Sequence, residues 1–200
     1  MGLFETIRQL LGVNAEAGAS RDADPEDLFG MSTAYLTMEA DLDFAPTGDA
    51  ALCFGNVDST AFRDAREQVE AILELGENES GTTADFHEDH HGYHWIVLHD
   101  TDFENLVTSI HFAADTLIEE GFGSRLLAAL FAFERDDRTA YWVYSFRRGA
   151  YYPFVPTGGH ERDQKLEFKL ESVLDGELGV EDDTSYWYPM WPEGDTHPWS

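Results

Sequence analysis

Two long apolar runs, RLLAALFAFER and TAYWVYSFRRG, are joined only by the charged turn DDR at residues 136–138. A link that short has no room for a crossover, so two strands of this length must lie antiparallel. ADFHEDHHGYHWIVLHD reads as a second hairpin, with the apolar run from Tyr93 to Leu98 as its second arm. TAYLTMEADL and AALCFGNV read as a third pair, separated by DFAPTGD, where Pro46 and Gly48 turn the chain.

Helical periodicity fills the intervals. DSTAFRDAREQVEAILELG places Phe62, Ala65, Val69, Ile72 and Leu73 on one side and stops at Gly76, with ENESGTT as a loop. Thr101 and Glu104 have capping-box spacing before a helix whose face is Phe103, Leu106, Val107, Ile110, Ala114, Leu117 and Ile118. A last helix turns Leu166, Leu170, Val173 and Leu174 inward. The pattern predicts an α+β domain with an antiparallel sheet of about six strands and helices packed on one face.

At the N-terminus, Leu3, Phe4, Ile7, Leu10 and Leu11 repeat at helical spacing and predict a short amphipathic helix over 1–12. Residues 13–27 are polar and acidic and read as a linker, and 28–200 as a single domain with an aromatic, proline-rich tail. A tethered apolar face of this kind suits a membrane surface, a partner groove or the chain's own domain. The letters MGLFET fit a myristoylation pattern, but that pattern presupposes a eukaryotic modifying enzyme. No apolar run is long enough to span a bilayer, and no secretory signal is visible, which predicts a cytoplasmic protein, peripheral at the inner membrane face if the helix binds there.

The net charge is −28, with 40 carboxylates and only two lysines, Lys165 and Lys169. Aromatic content of 14% separates this composition from that of a disordered acidic chain. The charge reads as a surface adapted to concentrated salt, where screening shortens the Debye length to about 3 Å at 1 M. Duplex nucleic acid is excluded as a partner, because binding it requires many phosphate-neutralising Lys and Arg residues. One cysteine, Cys53, precludes an internal disulfide, and its ALCFG setting reads as buried strand.

Catalytic patterns are missing. GFGSRL lacks the third glycine and the lysine of a phosphate loop, Ser124 is not in a nucleophile elbow, and Cys53 has no basic neighbour in sequence. His87, His90, His91 and His94 have helical spacing suited to Zn²⁺, but Gly92 and the strand-forming neighbours make DHHG a turn that scatters them. No cofactor is implied and no enzyme nominated.

The segment RRGAYYPFVPTGGHERD gathers three arginines in a strongly acidic chain. Arg148 and Arg162 have the chemistry to clamp a carboxylate or phosphate, and Thr157–Gly159 could turn backbone N–H groups toward an anion. The alternative is structural: Tyr152 and Phe154 pack, the glycines turn, and the arginines pair with internal carboxylates.

This block, extended to RRGAYYPFVPTGGHERDQKLE, resembles the PspA-associated protein PspAB family of actinobacteria and haloarchaea. LIEEGFGSRLLAALFAF, SYWYPMW, LFGMSTAYLTME and FAPTGDAALCF extend the resemblance over nearly the whole chain. It implies a non-enzymatic accessory or adaptor of a PspA-type membrane-stress response. Its implied partners are a PspA-like protein or an associated membrane peptidase of the HtpX type. Arg148, Gly149, Tyr152, Pro153, Phe154, Pro156, Thr157, Gly158, Gly159, Arg162 and Asp163 lie inside the family-like block and are the candidate contact residues. Where members read something like DSYGYTW this chain has EDHHGYHW, so the histidine cluster departs from the family pattern. A small anionic-ligand or enzyme site at Arg148, Arg162 and the Thr157–Gly159 turn is the competing expectation.

Overall fold

The computed structural model describes residues 23–89, 91–191 and 198. The expected N-terminal helix, with Leu3, Phe4, Ile7, Leu10 and Leu11, lies outside the described residues, as does His90. The last residues of the expected linker are structured: Asp24 caps a 3-10 helix over Pro25–Gly30. Tyr144 holds that helix, its hydroxyl donating to Asp27 Oδ2 at 3.0 Å.

Six strands form one antiparallel sheet: β1 (Ala45–Gly55), β2 (Thr83–Glu88), β3 (Tyr93–His99), β4 (Leu126–Arg135), β5 (Arg138–Ser145) and β6 (Ala150–Phe154). Their spatial order is β2-β3-β1-β4-β5-β6. A small hairpin, β7 (Pro156–Gly158) with β8 (Glu161–Arg162), stands beside it. The helices are α1 (Met31–Leu42), α2 (Thr60–Ser80), α3 (Phe103–Glu119) and α4 (Gln164–Leu174). This is the expected α+β fold.

Alternation along the strands divides the interior in two. Leu52, Phe54, Ile96, Leu98, Phe131, Phe133, Trp142 and Tyr144 meet the helices. Ala51, Cys53, Trp95, Val97, Leu130, Val143, Tyr152 and Phe154 face the opposite way, in one cluster with Trp187, Tyr188, Met190 and Trp191 of the tail. An antiparallel sheet commonly leaves one face to water. Here both faces are buried, the second with an irregular segment instead of a helix layer.

Four local expectations fail. TAYLTMEADL is α1 and not a strand, burying Met31, Ala34, Met38 and Leu42 at helical spacing. The sixth strand is β6, from the arginine-rich segment. α2 passes Gly76 and ends at Gly81, whose φ is +89°, while Asn78 and Ser80 bond back to the carbonyls of Glu74 and Gly76. The cap of α3 is Asp102 and not Thr101, accepting from Glu104 N at 3.1 Å. Finally, the last five residues of DFAPTGD, from Ala45 on, belong to β1, whose register shifts between Pro46 and Ala50. Gly48 makes that bulge possible: its φ is +87°, and a Cβ there would sit 2.9 Å from the Asp100 carbonyl oxygen.

Candidate functional site

The arginine-rich segment leaves β5, turns, forms β6 and the β7–β8 hairpin, and delivers the chain to α4. Its first turn spans the four residues between Ser145 and Ala150, which pair across it. Gly149 closes the turn with φ +62° and donates its N–H to Ser145 O at 2.8 Å. That geometry sends Arg148 inward. The residue is 4% exposed, and its guanidinium donates from Nε to Glu181 Oε2 at 2.6 Å and lies 3.8 Å above the Tyr186 ring. The bond to Glu181 raises the arginine above its ordinary value against the opposing effect of burial.

Glu181 belongs to a strap along the outer edge of β6. Tyr151 N–H donates to Gly179 O and Glu181 N–H to Tyr151 O, both at 2.8 Å, and Tyr151 bridges Val180 in parallel. An edge that would otherwise present unpaired backbone is thereby covered. Trp187 Nε1 donates to Glu181 O at 2.8 Å, folding the strap back on itself.

Arg162 makes a second clamp. Its Nε contacts both oxygens of Glu167 at 2.9 Å, Nη1 donates to Trp187 O at 2.7 Å, and the guanidinium stands 5.0 Å from the Phe154 ring centroid. Glu167 is 1% exposed and also accepts Val155 N–H at 2.8 Å. Burial pushes its carboxyl upward, and the Val155 N–H and Arg162 pull only part of the way back. Asp163 caps α4 by accepting from Leu166 N at 3.0 Å and receives Arg138 Nη1 at 2.5 Å. These contacts, the Leu166 N–H first, hold its carboxyl below the ordinary carboxylate value.

The remaining motif residues divide by exposure. Tyr152, Pro153 and Phe154 are buried, Pro156 is half-buried, and Thr157, Gly158 and Gly159 are exposed. Gly158 pairs with Glu161, so Gly159 and His160 form a two-residue hairpin loop. Their φ values of +61° and +59° suit a type I′ turn. The expected anion-aiming turn is therefore a hairpin tip, and α4 begins beyond it, at the Asp163 cap. A shallow cavity of about 430 Å³ beside the tip is bounded by Arg138, Tyr141, Pro156, Thr157 and Gly158, without Arg148 or Arg162.

The structure thus brings Arg148 and Arg162 to one strap but turns each to its own carboxylate. Sequence reasoning missed those carboxylates. Glu181 carries no signal among 40 acidic residues; Glu167, five positions after Arg162 and inside the last helix, was the more findable of the two. As for the histidines, His87 pairs with Trp95 across the hairpin, His91 is exposed in the turn, and His94 is buried on the helix side. Among the described residues no group of three or more potential metal ligands comes together.

A family model described as PspA associated protein B matches residues 1–199. No curated protein matches, and no solved structure does.

Proposed function

The chain belongs to the PspA associated protein B family, and from that premise we propose that it is a non-enzymatic adaptor of a PspA-type membrane-stress response. It acts by protein–protein contact in the cytoplasm, near the inner face of the membrane. Among the described residues no helix is long and apolar enough to cross a bilayer, so membrane proximity would come from the 1–12 segment or from a partner.

One observation carries this reading. The two arginines of the family-like block with the best chemistry for a ligand are engaged by Glu181 and Glu167, holding the strap to the sheet. A guanidinium already paired with a buried carboxylate is a poor anion receptor, because the ligand must displace that partner. What the block offers outward is shape: the exposed tip Thr157–His160, and Phe168 of α4, which is 49% exposed and lies against Trp187. A PspA-like protein is the proposed partner, with an HtpX-type peptidase as a second member of the same assembly. The same pairing weighs against a small-anion site at Arg148, Arg162 and the Thr157–Gly159 turn.

The test is capture of the PspA-type protein by the full chain in molar KCl. Thr157→Lys, on the exposed tip, and deletion of residues 1–12 should each reduce capture while leaving the melting temperature nearly unchanged. Equal capture by both variants, or none by the parent chain, would remove the adaptor reading. Stable Arg148→Ala or Arg162→Ala variants that lose a small anionic ligand would replace it with a sensor or an enzyme.

A further inference from the structure

A cavity of about 230 Å³ opens between α2 and the β2–β3 hairpin, far from the arginine clamps in sequence. Phe54, Arg66, Phe86, Glu88 and His94 contribute to its lining. His94 is 6% exposed, and its Nε2 has no hydrogen-bond partner among the described residues. The imidazole stacks on Phe54 with 5.4 Å between centroids and meets Phe62 at 6.0 Å. Burial, and then the charge of Arg66, hold it below its ordinary value, so the ring is neutral at neutral pH and offers one donor and one acceptor. A buried nitrogen left unpaired opposes folding, and because His94 lines the cavity, a ligand toward which the ring turns that nitrogen gains a bond the empty protein lacks.

Arg66 determines which ligand. Its contact with Glu70, at 3.2 Å, is an i,i+4 pair on a partly exposed helix surface, worth little and easily exchanged. That distinguishes it from Arg148 and Arg162, whose carboxylates are buried. A guanidinium presents a planar fork that matches one carboxylate. Glu88 also lines the cavity and faces any anion there; a monocarboxylate is neutralised by the single arginine, whereas a phosphate dianion would keep one unmatched charge against that glutamate. A metal cation would meet the arginine's charge. The cavity is smaller than the roughly 300–1,000 Å³ of sites for drug-sized ligands, so the occupant is a fragment-sized molecule.

We propose that this cavity binds a small monocarboxylate with a planar apolar body. Arg66 takes the carboxylate, the His94 ring hydrogen-bonds to it, and Phe54 and Phe86 receive the body. The inference stands apart from the adaptor reading, since it requires no partner protein.

Benzoate is the probe, and the full chain in molar KCl, with its histidines labelled with ¹⁵N, is the sample. The His94 ring signals are assigned by their disappearance in His94→Phe, which keeps an aromatic ring in the stack. Benzoate should shift those signals saturably, whereas benzamide, the same shape without the charge, should not. Arg66→Gln changes a partly exposed position, so it should fold normally and weaken benzoate binding by roughly tenfold or more, as expected for loss of a charge-assisted pair. Unmoved His94 signals, an equal response to benzamide, or undiminished affinity in Arg66→Gln would each overturn the proposal.

Discussion

Arg148 and Glu181 are the residues on which the strap depends most. Both side chains are nearly excluded from solvent, and removing one leaves the other charged and buried. Arg148→Ala should cost about 3–5 kcal/mol, measured by denaturant unfolding in molar salt. Replacing both partners with apolar groups, Arg148→Met with Glu181→Leu, should cost less than either single change, because no charge is then stranded. An additive double mutant would mean that the pair is not coupled. Asp163 gives a milder case. Asp163→Ala should lose about 1 kcal/mol through the cap of α4, whereas Asp163→Asn should retain most of it. The folded carboxyl lies below its unfolded value of 3.8, so its contribution is present above that value and fades as pH falls through the folded one. The Asp163→Asn variant should therefore show a shallower loss of stability on acidification than the parent chain.

Among the elements, α1 best separates sequence pattern from packing. Leu36, Met38, Ala40 and Leu42 alternate with Thr37, Glu39 and Asp41, which is the signature of a half-buried strand. The fold selects the other period present in the same letters, burying Met31, Ala34, Met38 and Leu42. Leu36 is left 51% exposed. Met38→Ala should accordingly cost about 2–5 kcal/mol, and Leu36→Gln within roughly 0.5 kcal/mol of nothing. Comparable losses at the two positions would contradict the helix. The longer apolar runs were legible because nothing competed with them: β3, β4, β5 and the apolar face of α3 follow directly from composition and short links. Terminations were less legible. Gly76 stops nothing, since a Cβ there would meet no atom within 4 Å and the helix continues to a glycine that does adopt positive φ. The arginine clamps were half legible, for the arginines stand out by rarity while their partners are hidden by abundance. β6 is hard to read from sequence, because Pro153 argues against a strand, yet this proline lies on the outermost strand of the sheet, where it is tolerated.

For the molecule as a whole, charge and packing pull apart. A formal charge of −28 on 200 residues favours expansion at low ionic strength. The sheet, buried on both faces, resists it. Melting temperature should rise as KCl is raised from low to molar concentration, because screening removes repulsion while the two cores are little affected. A melting temperature that does not change with salt would show that the acidic surface is not a salt adaptation. The strap at Val180 has a consequence for biosynthesis. It follows every strand of the sheet in the chain, so Trp187 and Trp191, which cover the Tyr152 side, emerge from the ribosome after the strands they pack against. During that interval the apolar surface is open to chaperones and proteases. A product arrested just short of the strap would keep that surface on display, so quality control could recognise truncated copies by the missing cover alone.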